Sequence, residues 1–279
     1  MKKISRRSFL AAAGLSVAAL ALTACGGSSA STASSVASSA ASSEAASTSA
    51  AAGELTTVEA GKLTMATNAA FPPYEMTTDA GEFEGIDIET AQAIADKLGL
   101  ELQIDDMDFD AALLSVQQGK ADIVMAGVTV TDERKAVMDF SDSYATGIQS
   151  IIVPEGSDIA SPDDLAGKKI GTQRGTTGYI YCSDDFGDEN VVAYDDGLTA
   201  VQALNNGQVD AVVIDNAPAQ EFIAANPGLK IPDTSYAEED YAIGMAKGSS
   251  LEDAVNAALK ELKADGTLQS IVDKYITAE

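Results

Sequence analysis

Apolar segments of this chain repeatedly run into short polar loops. Residues 121–125 are mostly apolar and predict a buried strand. Gly127, Thr129 and Arg134 follow this strand directly. In α/β proteins, a polar loop at the end of a strand is a common place for a ligand. The loop around Arg134 is therefore the first candidate site.

The order of elements before this loop occurs a second time. Residues 112–124 follow the pattern of a helix, a glycine and a strand, and residues 200–212 follow the same pattern. Each predicted strand ends in polar residues. Two α/β lobes that face one cleft would explain this repeated pattern. A coincidence between two common helix–strand connections would produce it too.

Other segments complete the expected α/β fold. Residues 63–67 predict a first strand, and apolar residues at helical spacing then predict an amphipathic helix that ends at Gly99. An apolar extended run at residues 148–154 is where we place the first crossing between the lobes. Residues 241–246 predict a strand that returns the chain to the first lobe.

The N-terminus has the order of a bacterial signal peptide. Four basic residues precede a small, apolar run from Phe9 to Leu22, which is too short for a membrane span. Residues 5–10 resemble a twin-arginine export motif, and residues 22–25 resemble a lipobox. We therefore expect a signal peptide at residues 1–24 and lipidation of Cys25. A simple secretory signal with an incidental cysteine is the alternative.

Residues 26–52 consist almost wholly of Ser, Ala, Thr and Gly. Such a segment cannot bury enough apolar surface to fold. After a lipidated cysteine, residues 25–60 are expected to form a disordered tether. The predicted location is extracytoplasmic, with a lipid anchor in the cell membrane.

Charge and composition exclude several functions. The net charge of −26 becomes about −30 once the four basic residues of the signal peptide are removed, which disfavours binding of nucleic acid. Once Cys25 is lipidated, Cys182 is the one cysteine with a free thiol, so an internal disulfide is impossible. The chain has no histidine, the commonest general base and metal ligand. We expect no catalytic residue, no cofactor and no metal site.

The loop around Arg134 also carries a family resemblance. Residues 126–134, followed by residues 138–144, resemble bacterial extracellular solute-binding proteins of family 3, which are the amino-acid receptors of ABC importers, and most resemble the glutamine-binding type. Residues 85–89 resemble a second motif of that family, and the closing pattern is similar as well. The resemblance extends over residues 61–276.

The resemblance implies a fold and the residue boundaries of its two lobes. It implies an α/β, two-lobed fold of the periplasmic-binding-protein type (Venus flytrap, type II), in which each lobe is a central sheet flanked by helices. We place the first lobe at residues 61–150 and 240–279, and the second lobe at residues 151–239.

A ligand site is implied by the same resemblance. Thr129 and Arg134 would hold the α-carboxylate of an amino acid, together with Thr176 and Thr177. From the residues alone, Arg134 could instead pair with a neighbouring acid in a surface turn. Asp215 would hold the α-ammonium group, or would only cap the following helix. The expected ligand-binding residues are Asn68, Phe71, Phe109, Ala126, Gly127, Thr129, Arg134, Gln173, Thr176, Thr177 and Asp215.

The expected function is delivery of a free L-amino acid to an ABC permease by a monomeric, non-enzymatic receptor. A neutral polar, glutamine-like ligand ranks first, because Asn68 offers a donor and an acceptor but no charge. A basic ligand ranks second and an acidic one third, with Arg174 as the nearby cation for it. An enzyme resembling cyclohexadienyl dehydratases is the alternative. Glu75, near the expected cleft mouth, is the only other acid available for it.

Overall fold

The structure, a computed structural model, describes residues 55–276. The strands of the two main sheets and a small sheet are β1 (Lys62–Thr67), β2 (Ala70–Phe71), β3 (Glu75–Thr77), β4 (Phe83–Glu84), β5 (Glu101–Asp106), β6 (Ile123–Val124), β7 (Met138–Phe140), β8 (Ala145–Pro154), β9 (Ile170–Gln173), β10 (Val191–Tyr194), β11 (Ala211–Asp215), β12 (Leu229–Lys230), β13 (Ala237–Tyr241) and β14 (Gly244–Ala246). The α-helices are α1 (Ile86–Leu98), α2 (Phe109–Gln117), α3 (Asp132–Val137), α4 (Thr177–Phe186), α5 (Gly197–Asn205), α6 (Asn216–Ala225), α7 (Glu252–Ala264) and α8 (Thr267–Tyr275). Two short 3-10 helices lie at Pro162–Leu165 and Asp188–Asn190.

The first sheet has the strand order β5-β1-β6-β14-β7. β1 pairs in parallel with β5 and β6, and β14 pairs antiparallel with β6 and β7. Successive strand residues point to opposite faces. Met65 accordingly packs with Ile94 of α1 and with α7 and α8, whereas Ala66 packs with Val116 of α2. Burial on both faces explains why the central strand β6 is wholly apolar, whereas the edge strand β5 alternates apolar and polar residues.

The second sheet has the order β10-β9-β11-β8-β12, and β13 pairs with β8 beside it. Helix α4 packs on one face through Cys182, next to Val213 of β11. Helices α5 and α6 pack on the other face through Val201 and Phe222. Burial raises the pKa of the Cys182 thiol to about 12, so this cysteine is an unreactive part of the core.

The two long antiparallel strands β8 and β13 connect the lobes. They pair from Ala145 opposite Tyr241 to Gln149 opposite Ala237. The strands that precede and follow them in the chain, β7 and β14, belong to the first sheet. The chain therefore passes to the second sheet between residues 140 and 145 and returns between residues 241 and 244. Residues 145–150, which were predicted to belong to the first lobe, pair within the second sheet. The exact lobe boundaries at residues 150 and 240 remain a prediction.

The repeated helix–glycine–strand pattern in the sequence corresponds to two similar structural units. Helix α2 leads into β6, and helix α5 leads into β11. The glycine that ends each helix has a positive φ, of 67° in the first unit and 66° in the second. An aspartate then accepts a backbone N–H from the neighbouring segment. Asp122 accepts the N–H of Thr64 in β1 at 2.8 Å, and Asp210 accepts the N–H of Lys169, just before β9, at 2.8 Å. These contacts align the two units so that β6 and β11 both end at the cleft.

The start of the described region contacts the first lobe. Leu55 packs against its core, and the Val58 N–H donates to Asp122 at 2.7 Å. The sequence analysis assigned residues 55–60 to the tether. The predictions for the signal peptide, Cys25 and the rest of the tether lie outside the described residues. Within residues 55–276, no helix combines the length and apolar composition that a membrane span requires.

Candidate ligand-binding site

A pocket lies where strands from both sheets end, at the start of helix α4. The cavity itself is small, with a volume of about 30 Å³. All the residues predicted to bind a ligand line this pocket: Asn68, Phe71, Phe109, Ala126, Gly127, Thr129, Arg134, Gln173, Thr176, Thr177 and Asp215. Further lining residues, not included in that prediction, are Glu75, Gln149, Val213, Ile214 and Tyr241.

Arg134 is buried in the pocket wall, with 8% of its surface exposed. Its guanidinium donates to the carbonyl oxygens of Thr129 at 2.8 Å and Gly175 at 3.2 Å, and lies 5.4 Å from the centre of the Phe109 ring. No carboxylate lies within 4.0 Å of it among residues 55–276, so it is not the surface ion pair considered above. Burial lowers the pKa of Arg134, but an arginine stays charged. This cation is suited to bind an anion.

The first turn of helix α4 lies beside this cation. Thr176 caps the helix by accepting the Tyr179 N–H at 3.3 Å. Gly178 follows in a crowded position, because a Cβ atom there would lie 3.0 Å from Gln149 Oε1 and 3.2 Å from the Val213 carbonyl oxygen. Free N–H groups and the positive end of the helix dipole favour an anion at such a terminus.

The hydroxyl groups of Thr129 and Thr177 have a partner that the sequence analysis missed. Both donate to Oε2 of Glu239, at 3.0 Å and 2.9 Å. Gln149 donates to the same oxygen at 3.1 Å. Because a threonine hydroxyl has one proton to donate, both protons point to Glu239 in this structure. The prediction that the two hydroxyls donate to a ligand carboxylate stays a prediction.

Asp215 has the capping role that the sequence left open, and it also lines the pocket. Its Oδ1 accepts the Ala217 N–H at 3.3 Å and caps helix α6, while its Oδ2 accepts the Tyr241 hydroxyl. Burial, with the Glu239 charge adding to it, raises the pKa of Asp215 to about 7. Gly147 makes room for this pair, since a Cβ atom there would lie 2.5 Å from the Tyr241 hydroxyl oxygen and 2.6 Å from Asp215 Oδ2.

The opposite end of the pocket is uncharged and spans both lobes. Gln173 of the second lobe donates from Nε2 to Oδ1 of Asn68 in the first lobe at 2.8 Å. Asn68 in turn donates from Nδ2 to the Met107 carbonyl oxygen at 3.0 Å. Phe71 and Phe109 supply apolar walls. This end can hold the aliphatic stem of a ligand and exchange hydrogen bonds with a polar group.

Glu75 places a second acid in the pocket wall. The sequence analysis placed it near the cleft mouth and gave it no ligand role, but it is fully buried, and its oxygens accept no hydrogen bond from a donor among residues 55–276. Burial and the charge of Asp87 raise the pKa of Glu75 well above its usual range. Asp87 accepts the Gly127 N–H at 3.0 Å and the Tyr144 hydroxyl at 2.8 Å. A proton on Glu75 would supply the missing donor between the two carboxyl groups.

These observations define a class of protein. Two α/β lobes joined by crossing strands enclose a buried pocket that carries both a cation and acids, as a two-lobed receptor for a small polar solute requires. A profile of the family described as bacterial extracellular solute-binding proteins, family 3, matches residues 63–278. The chain belongs to this family, and the predicted family and fold class are confirmed.

Relatives of the chain bind different amino acids. The L-cystine-binding protein TcyJ of Escherichia coli K12 is 33% identical over 226 residues, which cover 79% of this chain and 85% of that protein. Among solved structures, the arginine-, lysine-, histidine-binding protein ArtJ of Geobacillus stearothermophilus is 34% identical, with a TM-score of 0.75 and coverage of 78% and 96%. An ancestral arginine-binding protein bound to glutamine is 41% identical, with a TM-score of 0.75 and coverage of 78% and 99%. All are named as binding proteins, which supports a non-enzymatic role.

The raised pKa of Asp215 leads to a prediction about stability. The pKa is about 3.9 in an unfolded chain and about 7 in the folded protein, so between these values the folded state holds a proton that the unfolded state has lost. The free energy of unfolding therefore falls as pH rises from about 4 to about 7. Asp215→Asn keeps the capping oxygen but cannot ionise. We expect it to exceed the wild type in urea unfolding at pH 8 by up to about 4 kcal/mol, and to match it near pH 4.

Asp139→Asn serves as the control with the opposite sign. The Lys247 ammonium and the Gly248 N–H lower the pKa of Asp139, so its ionised form stabilises the fold above pH 4. The control variant should be less stable than the wild type at pH 8. An Asp215→Asn variant with the same stability difference at pH 4 and pH 8 would contradict a raised pKa for the buried Asp215 carboxyl group.

Proposed function

We propose that this protein binds a free L-amino acid between its lobes and delivers it to an ABC importer. The observation that carries this proposal is a buried arginine without a carboxylate partner in the same pocket as Asp215. The two ends of an amino acid carry opposite charges, so Arg134 would take the α-carboxylate and Asp215 the α-ammonium group. Each buried charge then gains the partner that it lacks in the protein itself.

The remaining predicted residues would complete the two ends of the site. At the start of helix α4, the Thr177 N–H, next to the capping residue Thr176, would add a donor for the carboxylate. Backbone groups of Ala126 and Gly127 would face the ammonium end. Ionisation of Asp215 on binding would release its proton near neutral pH, because the ligand ammonium takes the place of that proton.

The acid Glu75 in the pocket wall favours a basic amino acid as the ligand. Glu75 is a buried carboxyl group that lines the pocket and accepts no hydrogen bond from a donor among the described residues. A guanidinium or ammonium group would supply donors and charge to it. The sequence predicts a neutral ligand first because residue 68 is an asparagine, which carries no charge. An arginine side chain could lie between Phe71 and Phe109 and reach Glu75 with its head group.

A neutral polar, glutamine-like ligand is the second candidate. Its support is the hydrogen bond between Asn68 and Gln173, because a terminal amide can exchange with either partner. An acidic ligand ranks last. Arg174, the cation considered for it, has 53% of its side chain exposed and lies 3.5 Å from Asp195, and it does not line the pocket.

Calorimetric titration with arginine, lysine, histidine, glutamine, asparagine, cystine and glutamate tests the ligand class. We expect arginine or lysine to bind at least tenfold more tightly than glutamine, a gap of about 1.4 kcal/mol. Glu75→Gln should remove that preference and keep glutamine binding, whereas Glu84→Gln, at an exposed site, should change neither. Glutamine binding more tightly than every basic amino acid would reverse the ranking.

Arg134→Ala tests the carboxylate site itself. We expect a loss of about 2–5 kcal/mol of binding free energy, because the variant leaves the ligand carboxylate buried without its cation. Arg174→Ala removes an exposed arginine and should bind as the wild type does. Unchanged affinity in Arg134→Ala, measured on a variant with an unaltered circular dichroism spectrum, would refute the assigned role.

The location of the protein forms a further part of the proposal. A signal peptide at residues 1–24, lipidation of Cys25 and the serine- and alanine-rich tether would hold the monomeric receptor outside the cytoplasm, close to its permease. The family description, as extracellular solute-binding proteins, supports the extracytoplasmic location.

Cys25→Ser tests the lipid anchor. The variant should move from the membrane fraction to the soluble fraction of the cell envelope or medium, because a thioether-linked lipid needs the cysteine sulfur. The second cysteine is a natural control: Cys182→Ser lies in the core and should leave the protein in the membrane pellet. Recovery of Cys25→Ser in the pellet would contradict lipid anchoring at this residue.

A further inference from the structure

Glu239 lies behind the pocket wall and not in it. It belongs to the crossing strand β13, is 6% exposed and pairs with Gly147 of β8. Its Oε2 accepts three hydrogen bonds, from Thr129 at 3.0 Å, Thr177 at 2.9 Å and Gln149 at 3.1 Å. Its Oε1 is buried and accepts none from the residues that the structure describes. All three donors line the pocket, whereas Glu239 does not.

The three donors come from three parts of the fold. Thr129 follows β6 and belongs to the first lobe, whereas Thr177 begins helix α4 of the second lobe. Gln149 lies in the crossing strand β8. The two threonine oxygens are 3.5 Å apart. They approach each other only because the lobes meet at this point, so one carboxylate oxygen can hold both threonines only while the cleft is closed.

We infer that Glu239 is a positioning residue that stabilises the closed arrangement of the lobes. It does so by accepting hydrogen bonds from Thr129, Thr177 and Gln149, whose side chains line the pocket. A charged acceptor forms stronger hydrogen bonds than a neutral one, and this acceptor is shielded from water. Opening the cleft would break at least one of its bonds to the threonines. Glu239 would therefore favour closure before the ligand arrives and slow the departure of a bound ligand.

The negative charge of Glu239 would by itself have the opposite effect, because it disfavours binding of an anionic group. The charge also acts on Arg134 and Asp215, and a carboxylate behind the pocket would repel the carboxylate of a ligand. If repulsion outweighed the three hydrogen bonds, removing the charge would tighten binding. The two roles thus differ in the sign of the effect on affinity.

Glu239→Gln and its neighbour Glu238→Gln form a matched pair for the test. Both remove one negative charge from the same strand at constant size, but Glu238 is exposed. We expect Glu239→Gln to bind arginine about tenfold more weakly, through faster dissociation in stopped-flow measurements. X-ray scattering without ligand should show a larger radius of gyration. Glu238→Gln should match the wild type in all three measurements.

Tighter binding by Glu239→Gln would overturn the inference, and so would unchanged affinity with an unchanged radius of gyration. If this variant fails to fold, Thr177→Val and Thr129→Val replace it. Each removes one bond to Glu239 and should enlarge the ligand-free protein, and equal radii would overturn the inference.

The inference rests on the proposed function only for the closing cleft and its ligand. A wild-type protein that binds no amino acid would refute the proposed function. The scattering comparison without ligand would still decide whether Glu239 holds the lobes together.

Discussion

Arg134 is buried with backbone carbonyl oxygens, and not a carboxylate, as its hydrogen-bond partners. An arginine removed from water in this way costs free energy unless an anion compensates it. The neighbouring structure offers partial compensation only. The carbonyl groups of Thr129 and Gly175 face the guanidinium, and the charge of Glu239 acts on it without forming an ion pair. The pocket therefore keeps a charge that a ligand can satisfy better than the protein does.

The fold brings the acid and the cation into one pocket by repeating one structural unit. In each lobe, a helix turns at a glycine and leads into a parallel strand that ends at the cleft. The first unit delivers the loop with Arg134, and the second delivers Asp215. Since parallel strands end at the same edge of their sheet, ligand groups collect there. The crossing strands β8 and β13 then add Gln149, Tyr241 and, behind the wall, Glu239.

The pocket also explains why membership of the family does not identify the amino acid that is bound. The groups that we propose for the two charged ends of an amino acid come from the strand ends, whereas those proposed for its side chain are a few residues of the first lobe and Gln173. Relatives named for cystine, for arginine, lysine and histidine, and a protein bound to glutamine share the fold. Asn68 and Gln173 suit an amide, while Glu75 suits a cation. Glu75 is the reason for proposing a basic ligand first, because a cationic group could take the place of the proton on this buried acid.

Local patterns by themselves indicated two α/β units and the polar loops at their strand ends, whereas the two-lobed fold class and the set of ligand residues were implied by the family resemblance. Strand ends, glycines and the spacing of apolar residues are local features, so the loop around Arg134, the Gly175–Thr177 turn and Asp215 could be identified along the chain. Only the tertiary structure decided the roles of Glu75, Gln149, Tyr241 and Glu239. Glu75 and Glu239 stand in strands among many exposed acids, and which acid is buried depends on packing between distant segments. The threonines show the same limit, since residue 129 and residue 177 acquire a common partner only where the two lobes meet.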